Sequence, residues 1–374
     1  MRILHLANHC HEIGNGIMNV AVDLACCQAE AGHTVAFASA GGSYVPLIER
    51  HGVDHRHLEQ HWRRLLRLPA ALLGLRALLR AFRPDVVHAH MMTGALLSAA
   101  LRGQGRWALV TTVHNEWQRS AVAMGVGDRV IAVSEAVAAR MAMRGVPQRR
   151  IDVVRNGALR SPRRPDRAMT TLNLGSPAIL TVAGLYARKG IAELIAAFER
   201  VAPHHPSATL TIVGDGPDRA RFEALAQSSP YAGRICLTGF IADPRPYFHA
   251  ADIFVLASRN EPFGLVLAEA REAGCACIGT RVGGIPEVLE GGCAGVLVDP
   301  ADPDALTEAL FALLGNREIL ERWQGAARCG LGWLDVARAS EQVVLVYQRA
   351  VSERRQARRS LPFAPPAPVD AKGD

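Results

Sequence analysis

Short apolar runs alternate with longer amphipathic stretches along this chain. Ile3 to Ala7, Thr34 to Ala38, Val86 to Ala89, Leu109 to Val113 and Val130 to Val133 have the length and apolar content of buried strands. Ile17 to Ala31 and Pro69 to Phe82, between them, carry apolar residues at helical spacing. The alternation predicts a parallel sheet covered by helices. It breaks over Ala158 to Pro177, a stretch rich in Pro, Arg and polar residues, and restarts at Ala178 to Val182. Leu210 to Val213, Ile235 to Leu237, Ile253 to Leu256, Ala276 to Gly279 and Gly295 to Val298 continue it. The expected fold class is therefore α/β, with two Rossmann-like domains facing across a cleft. The first spans 1–160 and the second 178–335, joined by a linker at 161–177. A helix is expected at 336–352, and a disordered basic, Pro-rich tail at 353–374.

Composition adds little to this picture, and charge adds more. The 374 residues are 49% hydrophobic and 21% charged, a globular balance with length for two cores. Net charge is +7 and the pI about 9.2, which favours anionic partners. Arginines at 63, 64, 67, 76, 80 and 83 occur with no acid among them, and Leu68, Leu72, Leu75, Leu79 and Phe82 recur at helical spacing. Either this is a basic amphipathic helix at a membrane surface, or it packs its leucines on the sheet and leaves its arginines in solvent. In both cases the basic face suits phospholipid head groups. Nucleic acid is not an expected partner, because no zinc-finger spacing, RRM signature or stacking array appears. Eight cysteines include no C-x-x-C pair, and Cys275 and Cys277 read as small buried apolar residues. The first residues form a predicted strand rather than a leader, and no apolar stretch is long enough to span a bilayer. A cytoplasmic, reduced location is expected, with peripheral contact at the inner membrane face.

The densest chemistry lies in Glu261-Pro-Phe-Gly-Leu-Val-Leu-Ala-Glu269. It follows a predicted strand and runs into a predicted helix. Gly264 permits a tight turn and close approach of a ligand to the backbone. A strand, a glycine turn and a helix start gather unpaired N–H groups at the positive end of a dipole, which suits a diphosphate. A carboxylate one turn on can accept from a sugar diol. The same letters also fit a helix opening with ordinary acidic residues. Gly14-Asn15-Gly16 stands between a predicted strand and helix, where glycine amides can approach phosphates. His88 and His90 alternate on a strand and so share one face, His90, the nearer to the carboxyl end, being the better site candidate, and His114 ends another strand. Asp302-Pro-Asp304 matches a D-x-D nucleotide–metal pattern by letter, but it opens a helix, where capping explains it. His9, Cys10, His11 and Glu12 fit no zinc spacing. No metal and no cofactor are expected.

These segments resemble, in order, the retaining GT-B glycosyltransferases of family 4, also described as glycosyl transferases group 1. The shared features are the E-x7-E stretch, Gly14-Asn15-Gly16, Asp85-Val-Val-His-Ala-His90, Thr111-Thr-Val-His-Asn115, Val130 to Glu135, Ala183 to Gly190, Ile212 to Pro217, Thr238-Gly-Phe240 and Gly283-Gly-Ile-Pro-Glu287. The resemblance implies a GT-B fold whose first domain binds the acceptor and whose C-terminal helix packs back on that domain. It implies that Glu261 meets the donor sugar and that Glu269 binds the ribose. Lys189, Phe263, Gly264, Leu265 and the Gly14 loop would meet the diphosphate, and His114 would lie beside the transferred sugar. One departure stands out. The family has an arginine five residues before its lysine, and this chain has Gly184. Arg188, in the same loop, is the candidate replacement.

The expected activity is hexose transfer with retention from a nucleotide diphosphate sugar, such as UDP- or GDP-hexose, to a glycan or lipid-linked hydroxyl. Polysaccharide, lipopolysaccharide or glycolipid assembly would use it. A nucleotide-sugar epimerase of similar fold and a non-catalytic sugar-nucleotide-binding protein are the alternatives. A dehydrogenase would need a third glycine that Gly14-Asn-Gly-Ile-Met-Asn19 lacks.

Overall fold

A computed structural model describes residues 1–60, 68–104, 107–115, 117–164 and 169–359. Its first half is a parallel sheet in the order β3-β2-β1-β4-β5-β6-β7. The strands are β1 (Arg2–Leu6), β2 (Thr34–Ser39), β3 (Asp54–His57), β4 (Val86–Ala89), β5 (Ala108–Val113), β6 (Arg129–Ala132) and β7 (Ile151–Val153). The helices are α1 (Gly16–Glu30), α2 (Val45–Arg50), α3 (Leu68–Phe82), α4 (Met92–Leu101) and α5 (Glu135–Met143). β4, β5 and β6 are buried at every residue, which is why they read as continuous apolar runs. In α3, Leu75 and Phe82 are buried while Arg80, and Arg83 just beyond the helix, are exposed, so the leucine stripe packs inward and the basic face is solvated. The arginines at 63, 64 and 67 lie outside the described residues.

The second half is a parallel sheet in the order β10-β9-β8-β11-β12-β13. Its strands are β8 (Ala178–Val182), β9 (Thr209–Val213), β10 (Ile235–Gly239), β11 (Ile253–Leu256), β12 (Ala276–Thr280) and β13 (Val296–Val298). α6 (Ile191–Val201), α7 (Arg219–Ser228), α8 (Arg245–Ala250), α9 (Leu265–Ala273), α10 (Ile285–Val288), α11 (Pro303–Leu314) and α12 (Arg317–Ala327) surround it. Asp302 caps α11, its carboxylate accepting from the amides of Asp304 and Ala305 at 2.9 Å each.

The final helix, α13 (Val336–Arg359), crosses back to the first half. Val343, Val346, Tyr347 and Ala350 are buried in one cluster with residues of β1 and α1. Where the chain crosses, Val336 N–H donates to the Leu159 carbonyl at 3.1 Å, and Leu159 N–H to the Leu334 carbonyl at 3.0 Å. The two crossings are therefore bonded to each other. The helix also corrects the expected tail. Residues 353–359 continue α13, held by Glu353 against Arg129 at 3.2 Å and by Arg354 Nη2 donating to the Arg102 carbonyl at 2.6 Å. Residues 360–374 of the expected tail lie outside the described residues.

Candidate active site

Each sheet reverses its strand order at one place, between β1 and β4 and between β8 and β11. Ligands of such sheets sit outside the carboxyl ends of the strands at that point. The Gly14 loop follows β1, His90 follows β4 and His114 follows β5, while Lys189 follows β8 and Glu261 follows β11.

Lys189 ends a 3₁₀ turn that Gly190 closes at φ 68°. A Cβ on Gly190 would lie 1.9 Å from the Ala257 carbonyl oxygen, so only glycine lets the two loops meet this closely. Arg259 N–H donates to the Arg188 carbonyl at 2.7 Å across the same seam. The seam brings the charges together. Lys189 Nζ donates to Glu261 Oε2 at 2.5 Å, and Ser258 Oγ lies 3.3 Å from the same oxygen. Behind Glu261, Gly284 N–H donates to its carbonyl at 3.1 Å. A Cβ on Gly283 would approach that carbonyl oxygen to 1.7 Å. Gly264, at φ 99°, turns the chain into α9, and Phe263 beside it is buried. The first-turn amides of α9 thus open beside the ion pair.

Glu269 projects from the second turn of α9 and is half-buried, with no hydrogen bond among the described residues. Burial lifts its carboxyl from 4.5 to about 7, although Arg163 and Arg164 pull it down. Arg163 chelates Asp23 of α1 at 2.8 and 3.0 Å, and Ser161 Oγ donates to Asp23 at 2.7 Å. The start of the expected linker is therefore tied to the first sheet's helix layer, and part of Glu269's surroundings comes from it. Pattern gave no sign of this, because Asp23 and Arg163 are far apart in sequence.

Arg188 is stacked between two rings, 4.3 Å from Tyr186 and 4.8 Å from Trp117 of the first half. A Cβ on Gly184 would meet the Tyr186 ring at 3.0 Å. The space beside Gly184 is thus filled by Tyr186, which in turn props Arg188.

On the facing edge the sequence expectation needs one correction. His90 does not open to the cleft but is buried, with Nε2 2.9 Å from His5 Nδ1 and Nδ1 3.2 Å from His114 Nε2. Adjacent parallel strands place His5 of β1 beside His88 of β4, and the pleat puts His88 and His90 on the same side. His114 is half-buried and stands at the outer end of this row. Burial lowers all four imidazoles, His5 to about 4, His114 to about 3 and His88 and His90 well below 6.5. They are neutral at physiological pH. His5 was missed by pattern reading, although a histidine inside Ile3-Leu4-His5-Leu6 is the kind of buried polar residue that signals a partner. His5, His88 and His90 offer nitrogens within 4.8 Å of one another, a spacing open to a metal ion. All their ring nitrogens already have hydrogen-bond partners, so an ion would have to displace them.

The two edges touch. A Cβ on Gly16 would lie 3.2 Å from Leu265 at the start of α9, and one on Gly14 would lie 3.1 Å from Phe240. Asn15, between them, caps α1 by accepting from Ile17 N–H at 3.0 Å. Ser134 Oγ donates to the Pro262 carbonyl at 2.8 Å. Glu287 accepts from Arg155 Nε at 2.6 Å and from Glu135 N–H at 2.8 Å.

Comparison with known proteins agrees with this arrangement. The family model described as Glycosyltransferase Family 4 matches residues 14–158, and that described as Glycosyl transferases group 1 matches residues 162–329. The chain is 32% identical to the glycogen synthase of Mycobacterium tuberculosis (strain ATCC 25618 / H37Rv) over 314 residues, covering 76% of this chain and 73% of that protein. It is 29% identical to the lipopolysaccharide core biosynthesis glycosyltransferase LpsE of Rhizobium meliloti over 157 residues, 42% of this chain and 45% of that one. The fold matches the crystal structure of Anabaena Alr3699/HepE in complex with UDP-glucose, with a TM-score of 0.78 at 19% identity, covering 93% of this chain and 100% of that one. With two parallel sheets facing edge to edge and family models matching both halves, the chain belongs to the GT-B glycosyltransferases of the group 1 and family 4 type.

Proposed function

We propose that this chain is a retaining hexosyltransferase that moves a sugar from a nucleoside diphosphate donor to a hydroxyl of a glycan or lipid-linked acceptor, without a resident metal. The observation that carries the proposal is the Lys189–Glu261 pair, set at the mouth of α9 and opposite the His114 edge. A departing diphosphate needs fixed positive charge. Lys189, Arg188 and the first-turn amides of α9 offer it from one side, and the Gly14 loop offers backbone from the other. In this reading the diphosphate draws Lys189 from Glu261, and the released carboxylate turns to the donor sugar. Glu269 then accepts from the ribose hydroxyls. His114, being neutral, orients a sugar hydroxyl rather than supplying charge. Retention fits a same-face reaction in which the leaving phosphate helps take the acceptor proton. Double displacement needs two carboxylates flanking the anomeric carbon, and Glu261 is the one carboxylate this reading brings to the sugar.

The acceptor reading rests on charge and on relatives named for glycogen and lipopolysaccharide core synthesis. No helix of the described residues is long and apolar enough to cross a membrane. The exposed Arg80 of α3 and Arg83 just after it, with Leu73 exposed on the same helix, suit a peripheral site at the inner face of an anionic membrane.

A thermal-shift screen against UDP, GDP, ADP and their hexose conjugates, with and without EDTA, tests the donor site. A shift with one nucleotide family that EDTA leaves unchanged is expected. No shift with any of them would count against the donor site, and a shift without turnover would favour the non-catalytic sugar-nucleotide-binding alternative. Conversion of the donor with no acceptor present would favour the epimerase. The anomeric configuration of the transferred sugar, read by NMR, decides retention.

A further inference from the structure

The buried imidazoles form one continuous chain with three other side chains, and the chain has a direction. Neutral imidazole offers one donor and one acceptor, so fixing one bond fixes its neighbour. The Gln28 amide, bonded to Tyr347 of α13 on one side and to His5 on the other, supplies the starting point. The Tyr347 hydroxyl lies 2.6 Å from His88 Nδ1 and 3.4 Å from Gln28 Nε2. The amide nitrogen can only donate, so the hydroxyl accepts from Gln28 and gives its single proton to His88 Nδ1. His88 then donates from Nε2 to Thr112 Oγ1 at 2.6 Å. On the other side, Gln28 Oε1 can only accept, so His5 carries its proton on Nε2, 2.9 Å away. His5 Nδ1 is therefore bare and accepts from His90 Nε2–H at 2.9 Å. His90 Nδ1 is bare in turn and accepts from His114 Nε2–H at 3.2 Å. Every donor points the same way, from His114 to Thr112, an arrangement in which each bond polarises the next. Nδ1 of His114 is left as the one ring nitrogen of the four histidines without a partner among the described residues.

We propose that Gln28, His5 and His90 are positioning residues that hold His114 as its Nε2–H tautomer, leaving Nδ1 as a hydrogen-bond acceptor for a sugar hydroxyl. The role of that nitrogen rests on the transferase reading above; the tautomer itself does not. Turning the Gln28 amide over would reverse every donor and place a proton on His114 Nδ1, making it a donor instead. The hydroxyls of Tyr347 and Thr112 can each give or take, so the Gln28 amide is the group that sets the direction.

The test is a long-range ¹⁵N–¹H correlation spectrum of the full chain labelled at histidine nitrogen, which shows which ring nitrogen of His114 carries hydrogen. Wild type is expected to show Nε2 protonated and Nδ1 bare at pH 7. Gln28→Leu and Tyr347→Phe are expected to give mixed tautomers of His114. Their melting temperatures report whether each is folded. A wild-type His114 that is mixed or protonated at Nδ1 overturns the proposal even if neither variant folds, and so does a folded Gln28→Leu chain with the wild-type tautomer. With UDP-glucose as the probe, turnover should fall about tenfold in the Tyr347→Phe chain, the low end of what loss of an outer partner costs, with KM unchanged. If wild type neither binds nor turns over UDP-glucose, the spectrum still decides the tautomer, so the two readings fail separately.

Discussion

The facing edges of the two sheets use opposite chemistry on nearly the same scaffold. Both sheets are parallel, and both reverse strand order once. The first edge presents His114, backed by the buried neutral imidazoles of His90 and His5. The second is built from an ion pair, Lys189–Glu261, and from glycines that let loops touch. The contrast shows that topology supplies the place and strand-end residues supply the task. An uncharged, oriented edge suits hydroxyl groups, and a charged, backbone-rich edge suits a diphosphate.

Acid should separate the two edges most strongly. The folded first sheet keeps four imidazoles neutral, with His5 lowered to about 4 and His114 to about 3. The unfolded chain protonates each near its ordinary 6.5. Stability from this source is full above that value and is lost as pH falls through it, by about 2 kcal/mol per imidazole between pH 7 and pH 5. Hydrogen-exchange protection factors should therefore drop first in β1, β4 and β5. Equal loss in β8 and β11 would mean that the contrast has no energetic content.

Glu261→Ala attacks the charged edge directly. Transfer is expected to fall at least about 10³-fold, roughly 4 kcal/mol of barrier. The thermal shift given by the donor's nucleoside diphosphate should persist, because the phosphate contacts stay. Retained transfer would remove Glu261 from the mechanism. Gly283→Ala tests whether loop contact holds that edge, since its Cβ would overlap the Glu261 carbonyl at 1.7 Å and its φ is 53°. We expect a loss of about 2–4 kcal/mol in urea unfolding. Gly291→Ala, with φ 69° and nothing within 4 Å of its Cβ, should cost only about 1 kcal/mol.

A change at Glu269 has the opposite pH sign to the histidines. The Glu269 carboxyl is raised from 4.5 to about 7 in the fold. Its contribution to stability is full below 4.5 and is lost as pH rises through 7. Glu269→Gln should therefore stabilise the free protein by about 1–2 kcal/mol at pH 8 and by little at pH 4.5. Melting curves at the two pH values check this, and equal shifts at both would refute it.

The sheets were legible because buried parallel strands are apolar throughout, as Val86 to Ala89 and Ile253 to Leu256 are. Asp54–His57 was not, because an edge strand buried on neither face keeps no apolar pattern. Glu261, Lys189 and His114 stood out because their segments also carry the glycines and strand ends that frame them. The partners of His114 did not, since His5, Gln28 and Tyr347 come from β1, α1 and α13 and meet only in space. Tyr186 filling the space over Gly184 was equally invisible, because a substitution in a motif says what is missing and not what moves in. The extra turns of α13 were hidden by their arginines, which read as a solvated run and yet include anchors to Arg102 and Asp128.

The crossing of α13 has a consequence for the order in which the protein is made. The first sheet is synthesised by residue 153, but Val343, Val346, Tyr347 and Ala350, which close its core, come last. At ordinary elongation rates the ribosome needs roughly 10–40 s to make the intervening stretch. For that time the nascent first domain carries an open apolar face and His88 lacks its tyrosine partner. The second domain, whose strands and covering helices are contiguous, can close before the first. A protein read from its amino terminus therefore finishes folding there last.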